Sequence, residues 1–94
     1  MITTIVQFRF SQPLAQRQIP YLFSEVTAHL EQAEGLLCRS FTKPTAVTVG
    51  GTLLWRSRSA AENFFADLDL SALEQYYGAT LAVSYLEMLI LLDK

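Results

Sequence analysis

A single histidine, His29, is the side chain of this 94-residue chain best suited to proton transfer, because imidazole takes up and releases a proton near neutral pH in its ordinary state. At 100° per residue it falls at the edge of an apolar helical stripe, next to Leu22 and Ala33, where it can point into a pocket and act as a general base. The competing reading is a boundary histidine with one side in water. Trp55, the largest flat apolar surface, stands where a strand should meet a helix, so it either stacks on a ligand or packs in the core. The hydroxyls of Tyr76, Tyr77 and Tyr85 are available to orient a substrate oxygen or to close the domain edge. One histidine with no nearby cysteine or aspartate supplies too few ligands for a metal. Cys38, the only cysteine, reads as a small buried hydrophobe. There is no nucleophile motif and no strong acid–base pair.

The elements that must position these residues follow from periodicity. Ile2, Val6, Phe8 and Phe10 share one face of an opening strand, with Thr3, Gln7 and Arg9 on the other. Pro20 marks the start of a helix whose apolar positions 19, 22, 23, 26, 30 and 33 form one stripe, and Gly35 is placed to stop it. Leu36 to Lys43 reads as a second strand. A third runs through Val47, Val49 and Leu53 to about Arg56, with Gly50-Gly51 predicting a bulge or bend. Ser59-Ala60-Ala61-Glu62 and Ser71-Ala72-Leu73-Glu74 have capping-box spacing and open two helical pieces, the second ending at Gly78. The last strand, Leu81 to Leu92, is apolar at both odd and even positions, which predicts a strand inside a sheet covered on both faces.

The order β-α-β-β-α-β, with a broken second helix, predicts an α+β, ferredoxin-like domain spanning residues 1–94: one antiparallel four-stranded sheet with both helices on one face and the first and last strands adjacent. A chain this short cannot cover the other face with its own material, so a second copy is the natural cover. A homodimer in which two sheets close a barrel-like core is expected, with the final strand, Gln7, Arg9 and Arg39 at or near the interface. Arg9, Arg39 and Glu87 should form structural ion pairs if they face that interior. Seven basic residues, spread along a chain of net charge −2, make no stripe for a phosphate backbone, so nucleic acid is not expected as a partner. Twelve interrupted apolar residues are too few for a membrane span. The start M-I-T-T-I-V-Q lacks the basic region and long apolar core of a signal peptide, so the protein reads as cytoplasmic.

The run Gly35-Leu36-Leu37-Cys38-Arg39-Ser40-Phe41-Thr42-Lys43, the segment Gly50-Gly51-Thr52-Leu53-Leu54-Trp55, the Ser-Ala-Ala-Glu-Asn-Phe-Phe helix and the glycine before the last strand carry a resemblance. Together they resemble the dimeric α+β barrel superfamily and, more narrowly, are similar to the small bacterial mono-oxygenases of the YdhR type. The resemblance implies a homodimer with a small apolar pocket between helices and sheet in each subunit. Relatives oxidise polycyclic phenols or anthrones with molecular oxygen and no added cofactor, open haem, or isomerise lactones. The haem-degrading branch uses an Asn, Trp and His triad; here Gln7 and Phe8 occupy that part of the first strand, and no histidine follows the second helix, so haem is disfavoured. The implied pocket has Leu22, Val26 and His29 on one side and Phe8, Trp55, Phe64 and Tyr85 elsewhere, and takes a phenol- or anthrone-like aromatic without flavin, metal or other cofactor. Two further readings stay open: a non-catalytic small-molecule-binding module using the same pocket, and a dimerising accessory protein whose pocket is filled by its own aromatics.

Overall fold

The computed structural model describes residues 1–13 and 15–89; the side chains of Gln16, Leu22, Phe23 and Glu25 lie outside that description. In chain order the elements are β1 (Ile2–Phe10), a 3-10 turn (Gln16–Gln18), α1 (Ile19–Leu30), β2 (Leu36–Thr45), β3 (Thr48–Trp55), α2 (Arg58–Ala66), α3 (Leu70–Tyr77) and β4 (Ala79–Glu87). The strands form one antiparallel sheet ordered β2-β3-β1-β4, so the ferredoxin-like arrangement holds, with β1 and β4 side by side and the second helical segment divided into α2 and α3.

Alternation along the strands separates two faces. Ile2, Thr4, Phe8, Val49, Leu53 and Trp55 are buried beneath the helices, where Leu30 of α1 and Ala61 of α2 join them. Burying a large apolar side chain of this kind contributes about 1.5–3 kcal/mol, so this one layer holds helices to sheet. On the opposite face, register places Thr3 between Leu54 and Leu86, Ile5 between Thr52 and Ser84, and Gln7 between Gly50 and Ala82. That face is half-buried or exposed apart from Gly50.

Element ends are set by local chemistry. Pro20 lies in the first turn of α1, as its missing N–H allows. That helix ends at Leu30, before Gly35; the glycine instead sits at φ +83° in the turn leading to β2, against Ala60. Gly78 closes α3 in the left-handed region, its N–H donating to the Glu74 carbonyl. The helix starts differ from the capping-box reading by two residues each. Ser57 caps α2 by accepting from Ala60 N–H at 3.2 Å, and Asp69 caps α3 by accepting from Ala72 N–H at 3.0 Å. Glu62, freed from capping, takes Arg58 at 2.7 Å across one exposed helical turn.

Three further expectations are corrected. The β1–β3 register runs unbroken through Gly50 and Gly51; the irregularities lie in β2, between Leu36 and Cys38 and between Thr42 and Thr45. β4 is an edge strand, not an inner one. Within its span the outward positions are Thr80, Ala82, Ser84 and Leu86, so its second apolar face came mainly from residues after Glu87, of which 90–92 lie outside the described residues. Cys38 is exposed on the open face beside Leu54. Arg39 pairs in register with buried Leu53, on the helix side, whereas Gln7 and Arg9 share the open face with Leu86 of the final strand. Within the single chain, and among the described residues, Arg9, Arg39 and Glu87 form no ion pair; the pairing expected of them concerns a dimer interior. The edge of β4 is protected at one point, where the Glu74 carboxylate accepts from Leu81 N–H at 3.0 Å.

Candidate functional site

The helical layer does not close fully on the sheet. Between them is an apolar cavity of about 70 Å³. Its floor is formed by Val6 and Phe8 of β1, Val49, Gly50, Gly51 and Leu53 of β3, Phe41 of β2 and Leu81 of β4. Its roof is Val26, His29 and Leu30 of α1, Phe64 and Phe65 of α2, and Leu70, Leu73 and Tyr77 of α3, with Leu68 from the junction between α2 and α3. The lining surface is almost entirely carbon, the imidazole of His29 and the hydroxyl of Tyr77 being the only polar side-chain groups of the lining among the described residues.

Gly51 lies at the centre of that floor, paired with Val6 on one side and Phe41 on the other. The lack of a side chain there leaves space above the sheet, and Phe41, Phe64 and Phe65 wall it in. Tyr77 meets Phe8 edge-to-face at 5.8 Å, closing the end near β4. His29 is exposed and also lines the cavity, so the residue stands at the boundary between cavity and solvent.

Of the residues proposed from sequence, Phe8, Val26, His29 and Phe64 are brought together around this cavity. The side chain of Leu22 lies outside the described residues. Trp55 and Tyr85 are not part of the lining. Trp55 is fully buried, donates its indole N–H to the Thr4 hydroxyl at 3.0 Å and packs against Phe64 at 5.2 Å and Phe65 at 6.1 Å. It holds the cavity's aromatic wall in place from behind. Tyr85 stands farther back, edge-on to Phe65 at 6.3 Å, with the Arg58 guanidinium 4.7 Å over its ring.

Replacing Trp55 by Phe strands the Thr4 hydroxyl in a dry core and leaves a void. Thermal and urea unfolding should register a loss of about 2–3 kcal/mol, with affinity for aromatic probes little changed. Weakened binding at unaltered stability would mean that Trp55 reaches the ligand after all.

Sequence reasoning missed Phe41, Leu73 and Leu81 as walls. Phe41 had a legible signal, since a large residue opposite a glycine fills the space the glycine leaves. Leu73 and Leu81 depend on how α3 turns back onto β4, which periodicity does not specify. Among the described residues no group of three His, Cys, Asp or Glu side chains is placed to hold a metal, and no helix is long and apolar enough to cross a membrane.

No protein-family model matches the sequence, and no curated protein matches it. Solved structures do match the fold. SnoaB, a cofactor-independent oxygenase from Streptomyces nogalater, superimposes with a TM-score of 0.73 at 11% identity, over 99% of this chain and 97% of that one. The monooxygenase from the gene ActVA-Orf6 of Streptomyces coelicolor, solved in complex with nanaomycin D, gives 0.66 at 18% identity, over 98% of this chain and 92% of that one. The haem-degrading protein Rv3592 from Mycobacterium tuberculosis gives 0.64 at 12% identity, over 99% of this chain and 100% of that one. Likeness at these identities is one of fold alone: the ferredoxin-like layout of a four-stranded antiparallel sheet beneath helices.

Proposed function

We propose that this chain is a cofactor-independent mono-oxygenase, of the YdhR-type kind its sequence resembles, acting as a homodimer on a phenol- or anthrone-like aromatic. The observation that supports the reading is an almost wholly carbon-lined cavity with His29, the one basic side chain of its lining among the described residues, at the mouth. Such a site takes an apolar ring and offers a single place for an acidic hydroxyl. Two of the fold neighbours are named as oxygenases, which favours the same chemistry here.

In the proposed reaction His29 accepts the hydroxyl proton, leaving an electron-rich, carbanion-like ring. Dioxygen adds at the activated ring carbon to give a peroxide anion, which recovers the proton from the imidazolium. Loss of that carbon's remaining hydrogen as a proton breaks the O–O bond: one oxygen stays as a carbonyl, and the other leaves as water. The substrate supplies all the electrons, so the balance needs neither flavin nor metal. Haem fits less well, since the only histidine, His29, is on α1.

The cavity volume bears on the second reading. About 70 Å³ is roughly half of the ~150 Å³ known to host benzene in a protein core. A ring system therefore enters only if the roof yields. α3 has no buried residue, and Leu30 is the only buried one among the described side chains of α1, so the roof is the layer able to give way. The same small volume favours a non-catalytic binding or accessory dimer if the roof stays shut.

Oxygen uptake with anthrone and hydroxylated naphthalenes separates these. We expect turnover in the purified protein, reduced about 10²- to 10⁴-fold in kcat by His29→Ala with affinity little changed. Uptake unaltered by His29→Ala removes the proposed base; no aromatic binding at all leaves the accessory dimer.

A further inference from the structure

We infer that the inner part of the cavity is a binding site for a small apolar gas, and that in the proposed reaction it holds dioxygen beside the aromatic ring. The inference rests on the oxygenase reading for its role but not for its physics. The void is roomy enough for water by volume, yet water in a protein interior needs two to four polar partners. Leu30, Val49 and Leu53 are buried hydrocarbon walls, and the two polar side chains of the lining among the described residues, His29 and Tyr77, belong to the less buried roof. The backbone of Gly50 and Gly51 completes the floor within the continuous β1–β3 register. Water there gives up hydrogen bonds it cannot replace, whereas a diatomic gas gives up none and gains dispersion contacts on every side.

Size selects the same guest. The volume is too small for a ring without movement of the roof, but ample for two or three atoms. A ring seated at the mouth, against His29 and the half-buried Leu70, Leu73 and Tyr77, would leave the inner part free. Dioxygen would then meet the activated ring from the dry side, where no water competes.

The test uses xenon and dioxygen as probes on the intact chain, read by methyl NMR. Under a few bar of xenon the methyl signals of Val6, Leu30, Val49 and Leu53 should shift saturably, while those of Ala28 and Ala66, exposed on the helical side, stay in place. Under dioxygen the buried methyls should relax several-fold faster than the exposed ones, the reverse of their solvent accessibility. Val49→Ile, which adds a methylene to the void, should weaken both effects, and Val49→Ala, which enlarges it, should strengthen them; the two variants guard against loss of fold in either. Relaxation that follows exposure, xenon shifts absent from the buried methyls, or water contacts detected at Val49 and Leu53 would overturn the inference. Failure of this test with aromatic turnover retained removes the gas site alone. Gas binding without turnover in any aromatic screen removes the oxygenase reading and leaves the site.

Discussion

Replacing Gly50 with Ala, or Gly51 with Val, is expected to unfold much of the population at temperatures where the wild type is stable. The cause is contact, not conformation, because neither glycine has a positive φ. A Cβ at Gly50 would collide with the Val6 carbonyl of neighbouring β1, and one at Gly51 with the Ser40 carbonyl of β2 and, at 3.3 Å, the Phe41 ring. Backbone inside a sheet cannot step aside as a flexible side chain can. Both positions are on β3, which pairs with β1 and β2, so relief at either one disturbs two strand pairs. A loss of about 3 kcal/mol or more is expected at each, which in a domain this size lowers Tm by more than about 10 °C. Melting of Gly51→Val at the wild-type temperature would mean that β3 approaches its neighbours less closely than described.

The second large effect concerns association. The open face carries Ile5, Leu54 and Leu86, with Leu86 half exposed at 50% and Leu89 beyond β4 at 87%. Thr3, between Leu54 and Leu86, has a hydroxyl oxygen buried without a hydrogen-bond partner among the described residues. An unpaired buried hydroxyl between half-buried Leu54 and exposed Leu86 is what a face awaiting a second surface looks like. Sedimentation is expected to find a dimer at micromolar concentration. In a two-fold pair each substitution acts twice, so Leu54→Glu should bury two unpaired carboxylates and weaken the dimer at least about 100-fold. A stable wild-type monomer would remove both the interface and the barrel.

Strand order and helix number were legible because each rests on spacing: period two in β1 and β3, a stripe in α1, Pro20 and Gly78 at helix ends; a pocket between helices and sheet was expected from the family resemblance alone. Less legible were features that depend on two segments meeting. Ser59 and Ser71 each stand three residues before a glutamate, a pattern that fits a cap, but Ser57 and Asp69 adopt the extended backbone a cap needs. The glycine pair signalled a special position correctly, although the requirement is the approach of Val6 and Ser40, neither of them near in sequence. Trp55 shows the same limit for the site. Its identity marks it as a ligand platform or as core, and only the buried hydroxyl of Thr4, 51 residues away, turns it inward. His29 could be placed on the stripe's edge from sequence, with pocket and solvent both open to it, and in the structure it is exposed and also among the lining residues.

Proton transfer from a bound aromatic hydroxyl to His29 is the step on which the proposed chemistry stands. It can be seen without oxygen. A hydroxylated anthrone titrated with protein under anaerobic conditions should show the red-shifted absorption of its anion when bound to the wild type at neutral pH, and the spectrum of the neutral form when bound to His29→Ala. A bound ligand that stays neutral in the wild type, or an anion that forms equally well without the imidazole, would contradict the assignment.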